Sequence, residues 1–174
     1  IEPPGGDPAR QNGPFLTGAC QRGESLSFFY NNANKLGITL NLGEPEGREI
    51  FLERVKRADV LVETFPPGGL EELKLDYQLL SEINPRLIHV SITGFGQHGP
   101  RRDYKSCDLV AAACGGSMYV SGSPSTPPLK PGGEQSHYAV SLYAALGILL
   151  ALRQRKKSGR GAYLDLSLQE AVVS

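Results

Sequence analysis

The chain has 174 residues, 40% of them hydrophobic and 21% charged, and its formal net charge is zero. That composition describes an ordinary globular chain, long enough for one domain with its own core. It lacks the clustered positive charge that a nucleic-acid or anionic-membrane partner requires, so neither is expected.

Residues 1–15, "IEPPGGDPARQNGPF", are rich in Pro and Gly and read as irregular. "GITLNL" (37–42) alternates and is β-rich, which predicts a strand. "PEGREIFLERVKRA" (45–58) spaces Ile50, Phe51, Val55 and Ala58 along one helical face, with an acidic start and a basic end. "DVLVET" (59–64) predicts a short apolar strand, and "GLEELKLDYQLLSEIN" predicts one or two short helices. "RLIHVSITGFG" (86–96) is a strand running into a glycine turn. "CDLVAAACGGSMYVSG" begins as a small-residue helix and breaks at Gly115-Gly116. "YAVSLYAALGILLALRQRKK" is the long helix, and it is expected to be too short and too interrupted to cross a bilayer. Its basic end, within "RQRKKSGR" (153–160), complements the helix dipole. "AYLDLSLQEAVV" passes from strand to helix. This alternation suits crossover units, so the fold class is α/β with a largely parallel sheet and flanking helices. Ligands usually sit at the carboxyl ends of such strands, where "TFPPGG" and "GFGQHGP" fall.

"GFGQHG" (94–99) matches G-x-G-x-x-G, but Pro100 follows it and no helix opens. A nicotinamide or flavin site is therefore not expected, and the glycines serve a tight turn or a close backbone approach to another ligand. No P-loop is present, and no G-x-S-x-G elbow. His89, His98 and His137 are too scattered to form a metal set, so no metal is expected. His89 lies within a strand and reads as structural; His98 is either a loop residue or a ligand contact. Cys20, Cys107 and Cys114 are odd in number and lack ligand spacing, which with no signal peptide in view points to a reducing, cytoplasmic setting.

The blocks "IEPPGGDPAR", "NANKLGITLNL", "ADVLVETFPPGGLEELKLDY", "NPRLIHVSITGFGQHGP", "CDLVAAACGGSMYVSG" and "GILLALRQRKKSGRGAYLDLSLQEAV" together resemble the class III CoA-transferases. That family includes formyl-CoA transferase, carnitine CoA-transferase and α-methylacyl-CoA racemase. The resemblance covers nearly the whole chain in family order. It implies a Rossmann-like CoA-binding domain over 1–174, part of the large domain, lacking an N-terminal strand–helix and a C-terminal small domain. The start at Ile1 and the stop at "LQEAVVS" fit such a piece. It further implies an interlaced homodimer, acyl-CoA as substrate and a carboxylic acid as acceptor.

Residue by residue, the family's "NRNK" block falls on Asn32, Ala33, Asn34 and Lys35, so Lys35 is kept and the Arg is lost. Its "ENFRPG" block falls on Glu63 to Gly68: Phe65 and Gly68 are kept, while Thr64 and Pro66 depart. Lys105 and Asp108 match a basic and an acidic position before the small-residue helix. The implied CoA contacts are Asn34, Lys35, Thr64, Phe65, Pro67, Gly68, Gly94, Phe95, Gly96, Lys105 and Asp108. A catalytic Asp of the transferases opens the long helix ten residues before a glycine; counting back from Gly147 gives His137. The carboxylate that would form an acyl anhydride is therefore missing at its own position. The racemases' His falls near Cys107 and their Asp near 136 or 137, and neither is matched. Several readings stay open. Glu134, just before an expected Ser136 N-cap, replaces the carboxylate. Alternatively His137 is a base in an isomerase, racemase or lyase, or this half only binds CoA, or the cluster only caps the helix.

Overall fold

In the computed structural model, residues 1–16 and 25–173 are described; Cys20 lies outside them. Two compact units divide the chain, Ile1–Glu53 and Arg54–Ser174.

In the first unit, the Pro/Gly-rich start is ordered by side-chain bonds. Arg10 grips Glu2 with two bonds of 2.7 Å and stacks 4.0 Å from the centre of the Phe28 ring. The guanidinium holds the Glu2 carboxyl down at about 2. A short 3-10 turn, Pro8–Gln11, is capped by Asp7. Helix α1 (Leu26–Asn31) has no counterpart in the sequence reading; Ser25 caps it through the Phe28 amide at 3.1 Å. The strand expected over 37–42 reduces to one parallel bridge between Glu2 and Thr39. Glu2 is followed by Pro3 and Pro4, which have no N–H to extend the ladder. Helix α2 (Pro45–Val55) then forms as its apolar spacing predicts.

The second unit is built on three parallel strands in the order β1 (Val60–Glu63), β2 (Ile88–Thr93), β3 (Ala162–Ser167). Val60 pairs with Ile88, and Ile88 with Ala162. The crossovers are α3 (Gly69–Glu72) with α4 (Tyr77–Ile83), then α5 (Asp108–Cys114) with α6 (Gln135–Ser158); α7 (Leu168–Val173) follows β3. The parallel α/β reading is borne out.

Register and alternation give the sheet two unlike faces. On one, Val60, Ile88, Val90, Ile92, Ala162, Leu164 and Leu166 pack with Ala144, Ile148, Ala151 and Leu152 of α6. On the other, Glu63, His89, Ser91, Thr93 and Ser167 are buried, although all are polar. Asn84, at the end of α4, satisfies the Val55 and Ala58 carbonyls at 2.8 and 2.9 Å.

Helix α6 runs 24 residues and is long and apolar enough to cross a membrane by length and composition, contrary to the expectation from its sequence. The helix begins before the apolar run, at Gln135, and so gains length. One face of it packs inward here, with Val140, Ala144 and Ala151 buried, while Leu142, Leu146, Leu149 and Leu150 are exposed. Its C-terminal end is fastened by the buried Arg155, which donates to Arg86 O at 2.8 Å and Asp59 Oδ1 at 2.6 Å.

Candidate active site

All three strands end at one edge, and a cleft of about 540 Å³ opens there. Thr64, Phe65, Pro66 and Pro67 follow β1; Ile92, Thr93 and Gly94 end β2; Arg102 to Cys107 form the next loop. His137 enters from the start of α6 and Leu168 from α7. Of the residues singled out from sequence, Thr64, Phe65, Pro67, Gly94, Lys105 and His137 are thus brought together. Gly94 allows this because a Cβ there would lie 2.2 Å from the Ser106 Cβ. Sequence reasoning missed Arg102. Its Nε is buried without a hydrogen-bond partner, as are the Thr93 and Ser106 hydroxyls. Only their arrival at one edge singles them out.

The other candidates sit elsewhere. Gly68 (φ +82°) precedes α3, and a Cβ on it would come 3.2 Å from the Arg102 Nη2. Phe95 packs edge-on against Tyr104. Gly96 (φ +86°) forms a turn held by the Gln97 amide, which bonds both Asp165 oxygens at 3.1 and 3.0 Å. Asn34 (φ +62°) and Lys35 belong to the first unit; the Lys35 ammonium closes α1 through Asn31 O at 2.7 Å and Asn32 Oδ1 at 3.1 Å.

The start of α6 is not capped as expected. Glu134, not Ser136, is the N-cap residue, and its side chain makes no cap bond. The acceptor comes from another helix: Asp108, opening α5, takes the Ser136 amide at 2.8 Å. Asp108 is buried, and its other oxygen lies 2.5 Å from the Lys130 ammonium. Burial by itself would raise the Asp108 pKa, but the bonds from Lys130 and Ser136 outweigh it and hold the carboxyl below its usual range.

His137 Nδ1 stands 2.9 Å from Glu134 Oε2 and 3.9 Å from Asp108 Oδ1. The first is a close ion-pair approach and the second a long one, and neither is a hydrogen bond. One ligand atom each from Asp108, Glu134 and His137 lie within 4.8 Å of one another, a spacing a cation could use. Asp108 is already committed to Ser136 and Lys130, and a cation would face the Lys130 ammonium.

A second polar cluster lies beneath the edge. Glu63, His89, Tyr77, Gln97 and Tyr163 line a small cavity of about 50 Å³. His89 has both ring nitrogens buried without a hydrogen bond; Glu63 Oε1 is 3.9 Å away. Burial pushes the imidazole down to about 4 and pushes the Glu63 carboxyl up. Glu63 also accepts the Phe65 amide at 2.7 Å, which sets the turn carrying Phe65 to the cleft.

Known proteins give this geometry a frame. The model of CoA-transferase family III matches residues 1–174. The chain is 43% identical over 171 residues to a succinyl-CoA–L-malate CoA-transferase beta subunit of Chloroflexus aurantiacus, covering 98% of this chain and 41% of that protein. It is 40% identical over 176 residues to an acetyl-CoA:oxalate CoA-transferase of Acetobacter aceti, covering 100% of this chain and 44% of that protein. A crystal structure of a CaiB/BaiF family protein from Brucella suis superposes with a TM-score of 0.90 at 36% identity, over 99% of this chain and 46% of that one. The chain therefore spans less than half the length of these relatives. With the parallel sheet and its edge cleft in place, the resemblance read from the sequence blocks is borne out, and the chain belongs to CoA-transferase family III.

Proposed function

We propose that the protein transfers CoA between carboxylic acids, with an acyl-CoA thioester bound in the edge cleft and Glu134 as the carboxylate that takes part covalently. The observation that carries this is the 2.9 Å approach of His137 Nδ1 to Glu134 Oε2 at the mouth of a cleft lined by the cations Arg102 and Lys105. Those cations suit the phosphates of CoA, and Phe65 suits its apolar and aromatic parts. CoA-transferases among the relatives, acting by name on succinyl-CoA, acetyl-CoA and oxalate, support the reaction class. A homodimer belongs to the same reading and rests on the resemblance, while a cytoplasmic setting rests on the cysteine pattern.

In this reaction the Glu134 carboxylate attacks the thioester carbonyl. A mixed anhydride forms as the C–S bond breaks and CoA thiolate leaves. The thiolate attacks the glutamyl carbonyl, releasing the donor acid and leaving a glutamyl–CoA thioester. The acceptor carboxylate then repeats the two steps in reverse, and no net proton is consumed. His137 orients Glu134 through Nδ1 while its ring faces the cleft.

Intact-mass spectrometry of the full-length protein mixed with acetyl-CoA and succinyl-CoA, followed by peptide mapping, tests this. A CoA or acyl adduct on Glu134 is expected. Glu134→Gln should abolish it and lower turnover roughly a thousand-fold or more.

A second reading has its own observation: His137 lines the cleft, whereas Glu134 does not. His137 would then be a base for the acyl α-proton, oriented by Glu134, as in an isomerase or racemase. Deuterium entering the acyl α-carbon in heavy water, with no adduct on Glu134, would select it.

A further inference from the structure

Lys130 belongs to none of the sequence motifs. It lies in the Ser, Pro and Gly-rich stretch leading to α6. Its ammonium nevertheless has three acceptors: Asp108 Oδ2 at 2.5 Å, Gly133 O at 2.5 Å and Pro131 O at 3.3 Å. A lysine ammonium has three donors and points them apart, so this side chain is saturated. One contact fixes the buried Asp108; the other two tie the turn that delivers Glu134.

The charges around His137 make this contact consequential. Asp108 faces it from α5 and Glu134 from its own helix, and Lys130 is bonded to Asp108. Two carboxylates therefore compete for one imidazole. The one nearer to His137 is Glu134, by 2.9 against 3.9 Å. Asp108 is the buried one, and a buried carboxylate stripped of its cation must find another partner or take up a proton. The nearest available partner would be His137.

We propose that Lys130 is a positioning residue: it keeps Asp108 occupied as the anchor of α6, and so leaves His137 to pair with Glu134. The inference rests on reading Glu134 and His137 as the reacting pair. Lys130 itself touches no substrate in this account. It decides which carboxylate the imidazole serves.

Two readouts on the full-length protein test it. The first needs no CoA: carboxyl-carbon NMR of Asp108 across acid pH. Lys130→Met should move the Asp108 titration to higher pH, because the cation that holds it low is gone. The second is the rate of adduct formation on Glu134 with acetyl-CoA, which Lys130→Met should slow roughly ten- to a hundred-fold. The double variant Lys130→Met/Asp108→Asn removes the competing charge with the cation, and it should recover much of that rate. A lysine acting only as a tie for the turn would not be rescued in this way. An unchanged Asp108 titration, or a double variant as slow as the single one, would overturn the proposal. If the native protein forms no adduct, the transfer reading fails, and the Asp108 titration still judges the part assigned to Lys130. Should Lys130→Met fail to fold, the double variant, free of the buried unpaired charge, carries the test: adduct formation near the native rate supports the proposal and its loss sinks it.

Discussion

Gly161→Ala should leave the sheet unable to close. A Cβ at this position would sit 1.8 Å from Leu87 O, 2.5 Å from Leu87 C and 2.8 Å from Arg86 C. These are backbone atoms, so no rotamer change relieves the clash. The same glycine donates its amide to Pro85 O at 2.9 Å and sets the point where β3 meets β2. Moving the chain enough to admit a methyl group disturbs the first pair of that ladder, Ile88 with Ala162. Overpacking of this kind costs about 3 kcal/mol or more where the backbone must shift. Against a total stability of roughly 5–15 kcal/mol, that is a large share. Urea unfolding should show a midpoint far below the native one, or an unfolded chain at the outset. Gly132→Ala, where a Cβ meets nothing within 4 Å, should melt like the native protein. Equal melting of the two variants would contradict the close packing of β3 on the 85–87 turn.

The second large effect concerns acid stability. His89 is 2% exposed, faces Glu63 from β1, Tyr163 from β3 and Tyr77 from α4, and bonds to none of them through its ring nitrogens. Burial holds its imidazole at about 4, well below the ordinary value of 6.5. The folded state therefore binds fewer protons than the unfolded chain between those two values. Stability is full above pH ~6.5 and falls as pH drops toward ~4, by up to about 3 kcal/mol for this group alone. Glu63 works in the opposite sense. Its raised pKa favours the protonated folded form, so it returns part of the loss as pH falls. His89→Leu removes the imidazole and both unpartnered nitrogens while keeping an apolar volume against the two tyrosines. It should be more stable than the native protein at pH 5, with little change near pH 8. Melting temperatures across that range decide the matter. A variant as acid-sensitive as the native protein would mean that another group carries the dependence.

How much of this could be read in advance depends on the kind of interaction. Val60 to Glu63, Ile88 to Thr93 and the run from Val140 to Leu152 announce themselves by local pattern, because strand and helix periods are written in neighbouring residues. The strand expected over 37–42 fails for the opposite reason. Thr39 needs a partner elsewhere, and the partner segment runs out of amides at Pro3. The site divides in the same way. Phe65, Gly94, Lys105 and His137 sit in recognisable blocks and do meet at one edge. Lys130 and Arg102 sit in stretches with no period and no motif, and only the folded chain brings them to Asp108 and to the cleft. Asp108 is the instructive case. Its position was legible, but its engagement was not, because the amide it accepts comes from Ser136, far along the chain.

Helix α6 is fastened at both ends, by Ser136 on Asp108 and by Arg155 on Asp59 and Arg86. Between those fixings each residue turns the helix by about 100° and advances it ~1.5 Å. Length variation in this part of the chain is therefore unequally tolerated. One residue inserted between Val140 and Ala151 would leave either His137 facing away from the cleft or Arg155 facing away from Asp59. The same insertion among residues 123–128, in an exposed loop, could bulge outward without turning either end. Natural lineages of this protein should accordingly differ in length before Lys130 and keep a constant count from Ser136 to Arg155.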